Sequence, residues 1–149
     1  MPPISDVEMA DRLSRKRSRL LPIIGLVFLS GQAMYLGNAV EPLRTVDTVR
    51  ITAWLVWALA LLLLLATGGG LLRKKEVRAL MEDEVTQENR RRGLAMGFWA
   101  AMLVAVVLYP LSLVDPFTAR EAIHIVISTG IGAALLRFAF LERRALRDG

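Results

Sequence analysis

The sequence predicts an all-α, polytopic membrane protein: a four-transmembrane-helix bundle with its N and C termini in the cytoplasm. Three observations carry that prediction. Hydrophobic residues make up 54% of the 149-residue chain, and the mean hydropathy of +0.46 is too high for a water-exposed surface of this size. The hydrophobicity is also blocked. Leu20–Val40, Ile51–Leu72 and Gly93–Val114 hold no charged residue over 21, 22 and 22 positions, and Ala122–Leu141 is interrupted by His124 and Arg137 but is otherwise apolar. A bilayer core about 30 Å thick needs roughly 20 such residues, and a helix is the form in which they satisfy their backbone in lipid.

The third observation is the placement of charge. Of 19 Lys and Arg residues, 16 precede the first apolar run, separate the second from the third, or follow Leu136; Arg44, Arg50 and Arg120 are the others. That asymmetry puts both termini and the segment between spans two and three in the cytoplasm. The net charge of +5 and the pI near 10.4 therefore reflect topology and attraction to anionic lipid. Direct nucleic-acid binding is not expected. The chain has no cysteine, which excludes thiolate catalysis, disulfide exchange and cysteine-based metal sites.

Taken in order, residues 1–19 form an expected cytoplasmic tail, in which Asp6–Arg19 is either a short interfacial helix or a frayed end. Span one, residues 20–40, follows Arg15-Lys16-Arg17. It is longer than a signal-peptide core and Gly37-Asn38-Ala39-Val40 is a poor cleavage site, so it is expected to be retained. Pro22 is expected in its first turn, where a missing N–H costs little. Ser30, Ala33 and Gly37 make a stripe suited to close helix packing, and Gln32 is expected to hydrogen-bond to a neighbouring helix.

The outer loop Glu41–Arg50 has no net charge, and Trp54 and Trp57 after it fit an outer aromatic belt. Span two, residues 51–72, is Leu-rich and expected to face lipid. It ends in Gly68-Gly69-Gly70, a hinge or a loosened helix end.

In span three, residues 93–114, Gly93, Gly97, Ala101 and Ala105 recur every fourth residue. This face is expected to hold span one, span four, or a second copy of the chain in a homodimer. The turn Ser112–Phe117 is short enough to make spans three and four antiparallel neighbours. Thr118-Ala119-Arg120-Glu121 has the pattern of a capping box opening span four, residues 119–141. His124 lies in line with Ser128 and Gly132. With Gln32, His124 and Ser128 form the candidate intramembrane polar site, read first as structural hydrogen bonding. Residues 142–149 are an expected cytoplasmic tail.

The cytoplasmic loop 73–92 is the longest charged run. Its ends are basic, at Arg73-Lys74-Lys75 and Arg90-Arg91-Arg92, and its middle is acidic. Val77, Leu80, Met81, Glu84 and Val85 recur at helical spacing, which predicts a short amphipathic helix. Glu82-Asp83-Glu84 reads as a solvated acidic face, because neighbouring helical residues point apart and no histidine accompanies them. The sequence offers no paired-carboxylate, Ser–His or multi-His constellation, so no catalytic residue, metal or cofactor is expected. A carrier coupled to protons or sodium is expected to hold a central acid or base, and none is visible.

The run Met81–Trp99 contains Asp83-Glu84-x-Thr86-x-x-Asn89-Arg90 followed by Gly97-Phe98-Trp99. This pattern resembles that of small, four-helix bacterial inner-membrane proteins, over about 20 residues plus the hydropathy layout. Some proteins of that layout are encoded beside a small DNA-binding regulator and act as its membrane-bound antagonist. The resemblance implies a non-enzymatic protein that binds or sequesters a cytoplasmic partner, with Asp83, Glu84, Thr86, Asn89 and Arg90 as the matching contact positions. The alternative expectation is a small dimeric transporter or an accessory subunit of a larger membrane complex, in which Gln32, His124 and Ser128 carry the function.

Overall fold

The computed structural model describes residues 6–37, 45–68, 84–115 and 117–148. Four α-helices account for almost all of them: α1 (Asp6–Gly37), α2 (Thr45–Thr67), α3 (Glu84–Leu111) and α4 (Ala119–Asp148). The all-α class matches the prediction. Among the described residues two helices are long and apolar enough to cross a membrane, Glu84–Leu111 and Ala119–Arg147, while Ile51–Thr67 is a shorter apolar helix.

Helix α4 lies at the centre, packed most extensively against α3, then α1, with α2 making smaller contacts. Its inward stripe is Ile131, Ala134, Leu135, Phe138 and Ala139, all buried, and it meets Leu21 and Phe28 of α1 and Ala58, Leu61 and Leu65 of α2. The spacing of 58, 61 and 65 puts one side of α2 inward. Its other leucines, Leu59, Leu62 and Leu63, are exposed, as are Leu103, Val106 and Val107 of α3 and Ile23, Leu26 and Val27 of α1. An apolar exterior this extensive suits lipid better than water.

The seam between α3 and α4 follows from small residues. Gly93 and Gly97 are buried, and a methyl group at Gly97 would stand 2.5 Å from the Gly130 carbonyl oxygen and 2.7 Å from Ala134 Cβ. A methyl at Gly130 would in turn meet Ala101 Cβ at 3.1 Å. The predicted face Gly93, Gly97, Ala101 thus holds α4 of the same chain, with Ala105 half-buried further along. The turn after α3 is closed by Leu113 N–H to the Pro110 carbonyl, 3.1 Å, and Asp115 N–H to the Leu111 carbonyl, 2.9 Å. Thr118 and Glu121 then form the predicted capping box: Thr118 N–H donates to Glu121 Oε2 at 2.7 Å, and Glu121 N–H to Thr118 Oγ1 at 3.3 Å.

Three boundaries differ from expectation. Helix α1 runs unbroken from Asp6 into the apolar run, so residues 6–19 are not a separate tail. Pro22 consequently sits deep inside the helix, where it withholds the N–H that would reach the Ser18 carbonyl four residues back. Helix α4 continues to Asp148, through what hydropathy marks as the second tail. Helix α3 begins at Glu84 and passes through Arg92 into the apolar run without a break. Glu84–Arg92 is therefore the first part of that helix; Val77, Leu80 and Met81 of the predicted amphipathic helix lie outside the described residues. Gly68 caps α2 in the left-handed conformation, φ 62°, which only glycine adopts at little cost. Its burial favours the helix-end reading over a hinge; Gly69 and Gly70 lie outside the described residues.

Candidate functional site

The charged end of the bundle is organised by Arg17. The inward stripe of α1 runs Arg17, Leu21, Phe28, and that of α4 runs Leu135, Phe138, Glu142, so both end in a charge on the packed face. Arg17 Nη2 donates to Glu142 Oε2 at 2.6 Å, with the two side chains 9% and 5% exposed. The same nitrogen reaches Thr86 Oγ1 at 3.4 Å, and Nη1 donates to the Gly68 carbonyl at 3.1 Å. The guanidinium carbon lies 5.7 Å from the centre of the Phe138 ring, a distance at which a cation is attracted to the ring face. One side chain on α1 therefore contacts the end of α2, the start of α3 and the last turns of α4.

A buried pair of this kind loses much of its Coulomb attraction to desolvation. Arg17 Nε and Glu142 Oε1 also find no hydrogen-bond partner among the described residues. Its value is positional: Gly68 ends α2 and Thr86 lies in the first turn of α3, and Arg17 contacts both.

This geometry sorts the five candidate partner-contact residues. Glu84 is exposed and Arg90 is half-buried, while Asp83 lies outside the described residues. Thr86 faces Arg17, and Asn89, 8% exposed, is buried on the same side. Residues 86, 89, 93 and 97 form one stripe that turns toward α4; on it Thr86 meets Arg17, and Asn89 is buried with its Nδ2 lacking a hydrogen-bond partner among the described residues. The outward side carries Glu84, Val85, Gln87, Arg91 and Arg92. There Glu88 accepts from Arg92 Nε at 2.8 Å, one helical turn on, a favourable surface pairing.

The candidate intramembrane site is also assembled. Ser128 Oγ of α4 donates to Gln32 Oε1 of α1 at 3.3 Å, and Gln32 Nε2 donates to the Phe28 carbonyl at 3.1 Å. His124, 4% exposed, lies one turn from Ser128 and stacks on Trp54 of α2 with ring centroids 4.4 Å apart and planes 28° from parallel. Trp57 is exposed, but Trp54 is turned inward. Beside the stacked rings is a cavity of about 340 Å³ lined by Ile51, Trp54, Arg120, Ile123 and His124. Gly132 receives Leu29 of α1: a methyl there would lie 2.5 Å from Leu29 Cδ2. Ser30 remains on the outside, its hydroxyl donating to the Val27 carbonyl of its own helix at 3.0 Å; the packing of Ala33 and Gly37 lies outside what the structure describes.

Sequence reasoning missed Arg17, Glu142 and the inward Trp54. For Glu142 a signal existed: it is the lone acid in the basic run Arg137–Arg147 and falls on the stripe set by Leu135 and Phe138. Among the described residues no cluster of three or more His, Asp or Glu side chains is placed to hold a metal. No known protein family, curated protein or solved structure matches the chain.

Proposed function

We propose that the chain is a multi-pass protein of the bacterial inner membrane, with four spans and both termini in the cytoplasm, which binds and sequesters a cytoplasmic protein. The contact is made by the segment between α2 and α3 and the outward side of Glu84–Arg92. The observation that carries this is the grip of Arg17 on both Gly68 and Thr86. Arg17 fixes Gly68 at the end of α2 and Thr86 at the start of α3 relative to one another, and fixing the helix ends that flank a binding surface lowers the entropy cost of binding. The mixed charge of that surface suits recognition by electrostatic complementarity, and anchoring keeps the captured partner from its soluble target. The resemblance to membrane-bound antagonists of small DNA-binding regulators suggests a basic, soluble regulator as the partner, by analogy of layout. Glu84 and Asp83 remain contact residues in this proposal; Thr86, through Arg17, holds the helix that presents them.

The cavity beside Trp54 and His124 supports a second reading, a small-molecule carrier or accessory subunit. One experiment separates the two: affinity purification of the full-length protein from its native membrane in mild detergent, followed by mass spectrometry. Sequestration predicts a soluble regulator that is lost from the Asp83→Asn/Glu84→Gln variant and kept by the Gln32→Leu/His124→Phe variant. Recovery of membrane subunits alone, unchanged by the loop substitutions, contradicts it and favours the second reading.

A further inference from the structure

Next to the Arg17–Glu142 pair, the ends of α1 and α4 enclose a cleft of about 420 Å³ lined by Arg15, Ser18, Arg19, Arg143, Leu146 and Arg147. Four arginines from the two helices line one space, and no acid stands among the described residues that line it. Arg15 and Arg19 are one turn apart on α1, as are Arg143 and Arg147 on α4, so each helix contributes a stacked pair. Arg15 and Arg147 also take part in other interactions, so the uncompensated charge facing the cleft is that of Arg19 and Arg143, which repel one another across it. Among the described residues, neither Arg19 nor Arg143 lies within salt-bridge distance of a carboxylate. A bound anion would relieve the repulsion.

The type of anion follows from the shape of the group and the surface beyond it. Guanidinium forks match phosphate oxygens two at a time, and two helix-borne pairs match two phosphates better than one. At about 420 Å³ the cleft is roomier than a lone phosphate group needs. Along α1 the face bearing Arg15 and Arg19 continues into Ile23, Leu26 and Val27, which are 54%, 60% and 59% exposed. On α4, Phe140 stands exposed three residues before Arg143. A head held in the cleft would therefore lay its acyl chains on bare apolar surface, which a soluble phosphate cannot use.

We propose that this cleft binds the headgroup of an anionic phospholipid carrying two phosphates, one held by Arg15 and Arg19 and the other by Arg143 and Arg147. Basic pockets between helices at the cytoplasmic leaflet are suited to such headgroups. Ser18 and Arg143 directly follow Arg17 and Glu142 in the chain, so the lipid ties α1 to α4 a second time beside the buried pair. The inference rests on α1 and α4 being spans whose charged ends meet the cytoplasmic leaflet. Cysteine accessibility tests that placement separately, so failure of one is distinguishable from failure of the other.

The test is native mass spectrometry of the full chain in a neutral detergent, titrated with diphosphatidylglycerol, phosphatidylglycerol or inorganic pyrophosphate. One diphosphatidylglycerol per chain is expected to be retained, about tenfold more tightly than phosphatidylglycerol, because bidentate pairing to a second phosphate is added. Arg19→Gln/Arg143→Gln is expected to weaken it by about tenfold or more, with Arg19→Lys/Arg143→Lys in between. Arg12→Gln/Arg120→Gln removes the same charge elsewhere and is expected to leave binding unchanged. Equal weakening in the two charge-matched variants, or no preference for the two-phosphate lipid, would show diffuse surface attraction and overturn the proposal. Displacement of the lipid by an equal concentration of pyrophosphate would overturn the lipid assignment. Circular dichroism melts of every variant show whether a loss comes from unfolding, and the lysine variant then carries the comparison.

Discussion

Gly97→Leu is expected to separate α3 from α4 and to cost about 3 kcal/mol or more, at the upper end for overpacking of a close-packed interface. The obstacle is the Gly130 carbonyl oxygen, 2.5 Å from where the new Cβ would stand. Because it is backbone within a central helix, it cannot yield as a side-chain tip can. The balance is informative even for one methyl group. Gly97→Ala gains about 1 kcal/mol of helix propensity but loses about 1–3 kcal/mol to the collision, so a net loss is expected. At Gly31 a methyl group meets nothing within 4 Å, and Gly31→Ala is expected to be neutral or stabilising by up to about 1 kcal/mol. Reversible unfolding in mixed micelles measures both. Equal midpoints for wild type and Gly97→Leu would mean that α3 and α4 do not meet along this seam.

Glu142→Gln is expected to cost about 3–5 kcal/mol, because it leaves the Arg17 guanidinium buried without its counter-charge. Arg17→Met is expected to cost a similar amount and to release the Gly68 carbonyl and Thr86 as well. Arg17→Met/Glu142→Met should recover part of the loss, since apolar replacement of both partners is often near neutral. It should not recover all, since the buried Gly68 carbonyl would lose its donor at about 1–3 kcal/mol. A double-mutant cycle reads the coupling directly. Strict additivity of the two single changes would mean that the pair is not formed in the folded protein.

The architecture was legible where one property dominated. Apolar runs revealed the helical segments, and the four-residue repeat of Gly93, Gly97 and Ala101 marked the α3–α4 seam, although its partner stayed open between three choices. Thr118 and Glu121 revealed the cap of α4 because a capping box is local. Gln32 and Ser128 were grouped with His124 in one candidate site, but the hydrogen bond that joins them across α1 and α4 needed the fold. What remained hidden lay beyond the ends of the apolar runs. Hydropathy ends a span at the first charge, so Arg17 and Glu142 were assigned to solvated tails, while helical periodicity carries both onto the packed face. For the same reason Thr86 and Asn89 read as loop residues, although they begin the stripe that continues through Gly93 and Gly97. Trp54 was hidden differently: as one of a Trp pair it fits an aromatic belt, and only the position of His124 on α4 shows why the ring turns inward.

Everything proposed for the segment between α2 and α3 depends on its lying on the cytoplasmic side of four spans, together with both chain ends. The chain has no cysteine, so single cysteines can be introduced at Arg12, Glu88, Leu113 and Arg147 and labelled in spheroplasts with a membrane-impermeant maleimide. Leu113→Cys is expected to react from outside, whereas the other three are expected to react only after the membrane is opened. Labelling of Glu88→Cys from outside, or of Arg12→Cys and Arg147→Cys on opposite sides, would contradict the four-span arrangement and the capture of a cytoplasmic partner with it.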